Sequence, residues 1–409
     1  MSSLTALEQY QRVTANYWAF TLTDGALRML VVFHFHQLGY TSLEIAFLFL
    51  FYEFFGILTN LYGGWLGARF GLRLTLWLGT WLQIGALLML IPVADSWPKW
   101  WSVTYVMAAQ ALSGIAKDLN KMSAKSAIKT VVKSNDGDQQ LFRWVALLTG
   151  SKNALKGVGF FLGGVLLTTL GFNASVGVMA AGLLLAFLVT LGLPADMGQM
   201  KRKPKVLSLL SKREGINVLS LARLFLFGAR DVWFVVALPV FLETALGWRF
   251  WEVGSFMGLW VIGYGIVQGS APALRRSWGQ TSSPGISAVQ FWSALLTAIP
   301  ALIAIALWRQ VADPGLAIVA GLAAFGVVFA MNSSIHSYMV LAYSDNESVS
   351  LDVGFYYMAN AAGRLLGTLL SGAIFLIGGL QACLWCSSAM VALAWLFSLR
   401  LPPPHAVQR

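Results

Sequence analysis

The sequence predicts an all-α integral membrane protein with twelve transmembrane helices arranged as two pseudo-symmetric six-helix bundles. Three observations predict it: scarcity of charge, recurring apolar runs of membrane-crossing length, and an internal repeat of about half the chain. Of the 409 residues, 57% are hydrophobic and 11% charged, with a mean hydropathy of +0.69. A soluble domain carries roughly 25% charged residues, so there is too little charge here to coat a water-facing surface. One crossing takes roughly 20 apolar residues, which leaves room for about twelve. The 17 Trp and 26 Phe fit a chain that meets two membrane interfaces. The first apolar stretch outruns a secretory leader and has no small-residue cleavage site, so it reads as a span.

The apolar runs fall near residues 13–36, 43–65, 73–94, 100–123, 141–169, 172–194, 214–243, 250–272, 285–308, 315–341, 350–377 and 379–400. Gly39 and Tyr40 end the first, Pro92 to Pro98 separate the third and fourth, and Asp313-Pro314 opens the tenth. Loops after even-numbered spans hold Arg69 and Arg73, then Lys129 and Lys133, then Lys201, Arg202, Lys203, Lys205, Lys212 and Arg213, then Arg275 and Arg276. The opposite loops offer little beyond Lys99, Arg249 and Arg309. The positive-inside rule therefore predicts cytoplasmic termini. Asp345, Glu347 and Asp352 after span ten depart from the pattern, but acidic residues weigh little in that rule. A net charge of +11 would suggest nucleic acid in a soluble protein. Here the charge lies in short loops and inside spans, which argues against that partner.

The basic stretch divides the chain into residues 1–195, a linker 196–213 and residues 214–409. The halves echo each other in order. Asp24 corresponds to Asp231, Gly39-Tyr40 to Gly247-Trp248, and Glu44-Ile45 to Glu252-Val253. Arg69-Phe70-Gly71 is followed in the second half by Arg276-Ser277-Trp278-Gly279. Gly114 and Asn120 match Gly326 and Asn332, and Asn153, Ala154 and Gly171 match Asn360, Ala361 and Gly378. Parallel six-span repeats are a plan of secondary transporters that bind cargo near the bilayer midplane.

Charge inside the spans is the main functional signal. Arg28, Lys117, Lys121, Lys152, Lys156, Arg223, Arg230 and Arg364 are basic, Asp24, Glu53, Asp118 and Asp231 acidic, and His34 and His336 titratable. Spans three, six, nine and twelve have no interior charge. A mid-membrane charge costs about 2.5–3.5 kcal/mol even on the lenient insertion scale. The plain reading is that bases pair with acids to lock helices, as Asp24 and Arg28 are spaced to do one turn apart. With Arg223 set aside as near a span end, four acids still face seven bases. The surplus requires water or an anion, so the expected cargo is a small anion.

Spacing sharpens the expectation. Lys117 and Lys121 lie one turn apart, as do Lys152 and Lys156, with Asn120 and Asn153 beside them as donors. Arg230 and Arg364, with Asn360 near the latter, bring guanidiniums suited to bidentate contact with oxyanions. Arg28 is expected to face Arg230, and Lys121 to belong to an entry funnel. For proton coupling the candidates are Asp24, Glu53, Asp118, Asp231 and His336. Glu53 is preferred because its sequence neighbours are Tyr52, Phe54 and Phe55, with no base among them. Cys383 and Cys386 form a C-x-x-C in the last span, better read as small buried side chains than as a metal site. No phosphate-binding loop or hydrolase motif is present, so an enzyme, a cofactor and a resident metal are not expected.

Gly64-Trp65-Leu66-Gly67-Ala68-Arg69-Phe70-Gly71-Leu72-Arg73 resembles the loop signature of the major facilitator superfamily. Ala68 stands where that signature has Asp, an acid that latches the halves in the family. Gating is therefore expected to rely on Gly64, Arg69, Gly71 and Arg73. The resemblance also implies that the four uncharged spans are the outermost ones. Asn16 to Leu30, continuing through His34-Phe35-His36, with Phe49 to Gly56 and Gly114 to Ser123, resembles the ArsJ-type organoarsenical efflux permeases of bacterial arsenic-resistance operons. That likeness implies an inner-membrane exporter or antiporter of 1-arseno-3-phosphoglycerate, supplied by glyceraldehyde-3-phosphate dehydrogenase, and a monomer. The alternative is a transporter or exchanger of another organophosphate or carboxylate.

Overall fold

Apolar runs bounded by caps and glycines become helices, and no strand occurs among the described residues. A computed structural model describes residues 4–40, 44–45, 48–94, 96–131, 137–200, 204, 213–280, 283–311, 313–345 and 348–403. Lys133, Lys201, Arg202, Lys203, Lys205, Lys212 and Glu347 lie outside the described residues.

Helix α1 (Ala6–Gln37) starts from a capping box, in which Thr5 and Glu8 each satisfy the other's backbone N–H. Helices α2 (Leu50–Phe70) and α3 (Leu72–Leu90) are separated by Gly71 alone, at φ 91°. Helix α4 (Lys99–Val131) outruns its apolar stretch by a full two turns. Lys121, Ala124, Lys125, Ala127 and Lys129 are good helix formers, so polarity ends the span without ending the helix. Helix α5 (Gly137–Val189) breaks at Gly171, where φ is 75°. Helices α6 (Glu214–Phe234) and α7 (Ala237–Thr244) form one crossing. Helices α8 (Phe250–Ser277), α9 (Ile286–Arg309) and α10 (Pro314–Tyr343) follow, the last capped by the Asp313 carboxylate with Pro314 in its first turn. Helix α11 (Val349–Ser398) breaks at Gly378 and Gly379. Both breaks fall where the apolar runs predict span boundaries. With α5 and α11 each counted as two arms, the chain has the expected twelve crossings.

The outside of this protein is apolar. Leu185, Leu302, Leu376 and Ile377 are among many large aliphatic side chains left exposed, the reverse of a soluble surface and suited to lipid. Among the described residues, seven helices are long and apolar enough to cross a membrane, by length and composition. Helices α1, α2 and α4 fall outside that set, and they carry Asp24, Arg28, Glu53, Lys117, Asp118 and Lys121.

Contacts divide the chain into two units. The first holds residues 1–137, 151–210 and 345–358; the second holds 138–150, 211–344 and 359–409. In the first, α4 packs on α1, α2 and α3; in the second, α10 packs on α6, α8 and α9. The repeat reappears as hydrogen bonds. Asn120 on α4 accepts from Asn16, which also donates to Thr80 on α3, and Asn332 on α10 donates to Ser293 on α9 at 3.0 Å. It reappears again as close backbone crossings. Gly25, Gly159 and Gly163 let α1 and α5 touch, and Gly228, Gly363 and Gly367 do the same for α6 and α11.

Candidate functional site

Each unit gathers most of its intramembrane charges into one cluster. In the first, the Asp24 carboxylate on α1 accepts from Tyr52 Oη on α2 at 2.7 Å and from Lys156 Nζ on α5 at 3.1 Å. Glu53, beside Tyr52, lies 3.7 Å from both Arg28 and Lys117. Lys117 is also 3.9 Å from Asp118, whose other oxygen accepts from Lys121 at 2.6 Å. Two expectations change here. Arg28 reaches across to Glu53 while Asp24 pairs with Lys156, so the intrahelical Asp24–Arg28 pair does not form. Glu53, chosen for the absence of neighbouring bases, stands between two bases supplied by other helices.

In the second unit, Asp231 on α6 is shared by two guanidiniums. Arg230 Nε donates to Oδ1 at 2.6 Å and Arg364 Nε on α11 donates to Oδ2 at 2.9 Å. The first and fifth helices of each half are thus joined by an acid–base pair: Asp24 to Lys156, and Asp231 to Arg364.

Across both clusters, Arg28, Lys117, Lys121, Lys156, Arg230 and Arg364 converge on Asp24, Glu53, Asp118 and Asp231. The base is the more accessible partner in every pair. Side chains of the bases are 10–25% exposed and those of the carboxylates 1–10%. Carboxylates form the rear of each cluster, and the face that can be approached is cationic.

The remaining predicted residues divide in two. Lys152 and Asn153 are half-buried on α5, in the turn before Lys156. Asn120 is fully buried and its amide is engaged within the bundle, donating to the Ala116 carbonyl at 3.1 Å. Asn360 accepts from Arg223 Nε at 2.9 Å. Arg223, set aside as lying near a span end, proves to be buried, donating also to Ser333 Oγ at 3.1 Å with its guanidinium 3.8 Å from the Phe227 ring centroid. Gln268 donates to the same Ser333 hydroxyl at 3.2 Å. One turn along α10 lies His336, fully buried, with no hydrogen-bond partner for either ring nitrogen among the described residues. Cys383 donates to the Ser371 carbonyl at 3.7 Å, and both cysteines are free thiols.

The loop motif is held by main-chain groups. Arg69 donates to the Pro204 carbonyl at 3.3 Å and Arg73 to that of Leu193 at 2.8 Å. The Met200 N–H donates to the Ala68 carbonyl at 2.8 Å, so the position lacking an acid still anchors the segment that follows. Gly64 lies against the start of α11, where a Cβ would sit 2.5 Å from the Ser350 carbonyl oxygen.

Arg223 was noticed in the sequence but set aside, whereas Tyr52, Ser333 and Gln268 escaped sequence reasoning as site residues. An aromatic or a small polar residue in an apolar run carries no signal until its partners on other helices are known.

Solved transporters share this fold. A bacterial homologue of the iron transporter ferroportin in its outward-facing state superposes with a TM-score of 0.75 at 16% identity, over 96% of this chain and 99% of that one. The human organic anion transporter MFSD10 (TETRAN) gives 0.73 at 15%, over 96% and 98%. The proton:xylose symporter XylE bound to 6-bromo-6-deoxy-D-glucose gives 0.74 at 14%, over 97% and 96%. No curated protein matches the chain in sequence. The family model described as Major Facilitator Superfamily matches residues 13–289. Twelve crossings, a repeated half and this match agree: the chain belongs to the major facilitator superfamily of transporters.

Proposed function

We propose that this transporter exports a small, multiply charged anion by alternating access, and that the anion is 1-arseno-3-phosphoglycerate, so that export confers resistance to arsenate. One observation carries the reading: in both units the accessible side is basic and the carboxylates lie behind it. Such a face repels a cation and attracts an oxyanion. During the cycle the cargo engages basic side chains drawn from Arg28, Lys117, Lys152, Lys156, Arg230 and Arg364. Lys121, tied to Asp118 and lying over the Tyr357 ring at 4.5 Å, belongs to the entry path.

Charge supports the choice of cargo. A phosphate monoester carries about −1.5 to −2 near neutral pH, and an acyl arsenate adds further negative charge at the other end. The arsenic in this ester is pentavalent and oxygen-bound, so its recognition needs no thiol. The resemblance of the first, second and fourth spans to organoarsenical permeases names the ester specifically. In this reading the protein sits in a bacterial inner membrane with both termini in the cytoplasm. Glyceraldehyde-3-phosphate dehydrogenase supplies the cargo.

The test is survival of an efflux-deficient bacterium on arsenate, with and without that dehydrogenase. Protection is expected only when both proteins are present. Protection without the dehydrogenase, or inhibition of ester uptake into everted vesicles by 3-phosphoglycerate at equal concentration, would instead favour an ordinary organophosphate. Collapse of the proton gradient at a clamped membrane potential separates uniport from exchange. Transport that persists under that condition removes Glu53 from a coupling role.

A further inference from the structure

Tyr52 lies where the first cluster converges. Its ring is buried, its hydroxyl donates to Asp24, and three cations from three other helices gather around the ring. Lys117 Nζ is 3.8 Å from the ring centroid, Arg28 Cζ 5.3 Å and Lys156 Nζ 5.8 Å. Backbone geometry enforces this approach. A Cβ on Gly114 would fall 2.8 Å from Tyr52 Cα, so α4 comes this near to α2 only with glycine there. Lys117 follows three residues later on the same helical face.

Three positive charges around one site repel one another. Asp24 and Glu53 offset part of that repulsion from the rear, Asp24 through Lys156 and Glu53 through Arg28 and Lys117. An aromatic face attracts each cation and adds no net negative charge. A further carboxylate would neutralise the cluster, and an aliphatic side chain would leave the cations without that support. We infer that Tyr52 is a positioning residue that sets the affinity of this cluster for a doubly charged oxyanion, by gathering Arg28, Lys117 and Lys156 without neutralising them. The inference rests on the anion-transport reading above and extends it to a residue that need not touch the cargo.

Two measurements on the full-length protein test it: binding of inorganic phosphate in nanodiscs, and uptake of the enzymatically made ester into everted vesicles. Tyr52→Phe keeps the ring and loses the hydroxyl; Tyr52→Leu loses both. Tyr52→Leu is expected to raise the phosphate Kd and the ester KM by about tenfold or more while the maximal rate stays within about twofold. Tyr52→Phe is expected to remain within about threefold of wild type in both constants. An unchanged KM in Tyr52→Leu overturns the inference, as does a fall in maximal rate alone, the signature of a merely structural side chain. If Tyr52→Leu does not insert, Tyr52→Met fills a similar volume without a π face and is judged in the same way. Wild-type protein that neither binds phosphate nor moves the ester defeats the transport reading and the inference together.

Discussion

Asp231 lies behind two arginines that are each more accessible than it is. It therefore occupies the place of an oxyanion on their inner side. Replacing it with Asn leaves both guanidiniums charged and removes their carboxylate. Asp231→Asn should tighten phosphate binding by about tenfold and slow release, read as KM and maximal rate falling together. Charge reversal works the other way. Arg230→Glu or Lys156→Glu should abolish arsenate protection while the chain remains in the membrane fraction, because a repulsive charge then faces the cargo. Survival assays and immunoblots of membranes measure the two quantities separately. At this scale the sequence revealed which charges lie inside spans, since an ionisable residue in an apolar run is conspicuous. It did not reveal their partners: Lys156 and Asp24 are 132 positions apart, and Asp231 and Arg364 are 133.

Between elements, packing rests on small residues. A Cβ on Gly159 would lie 2.5 Å from the Leu22 carbonyl oxygen and 3.0 Å from Gly25 Cα, both backbone atoms that cannot rotate away. Gly159→Val should lower the thermal unfolding temperature in detergent, with a loss of about 1–3 kcal/mol typical of overpacking. Gly177, in the second arm of the same helix, has open space around its Cβ position, so Gly177→Ala should leave that temperature unchanged within error. Equal effects at both positions would remove close backbone contact as the cause. Span boundaries were legible because glycine and proline punctuate hydropathy: the breaks at Gly171 and at Gly378 and Gly379 fall between apolar runs. The far end of α4 was not, because hydropathy marks where the bilayer ends, whereas helix propensity carried this helix on to Val131.

For the whole molecule, the cargo's charge should show in energetics. Moving one elementary charge through 100 mV is worth about 2.3 kcal/mol, so an inside-negative potential drives a polyanion outward. In proteoliposomes with an imposed potassium diffusion potential, ester transport should rise steeply with that potential. Indifference to potential at fixed pH would mean that compensating charge moves with the ester, as in exchange. Each unit also takes in a segment from the other half of the sequence, residues 345–358 belonging to the first and 138–150 to the second. That arrangement is invisible in a sequence that divides most naturally at its basic linker.

What the sequence determined alone is the solvent, the number of crossings and the sign of the interior. These follow from composition and periodicity, because a bilayer imposes one length on every span and makes each buried charge expensive. Tertiary structure decided which charge meets which, that carboxylates stand behind and bases in front, and that Tyr52 lies among three cations. Those facts depend on a few ångströms of approach between helices far apart in the chain. Pattern along one helix records which face a residue occupies, and has no means of recording what another helix brings to it.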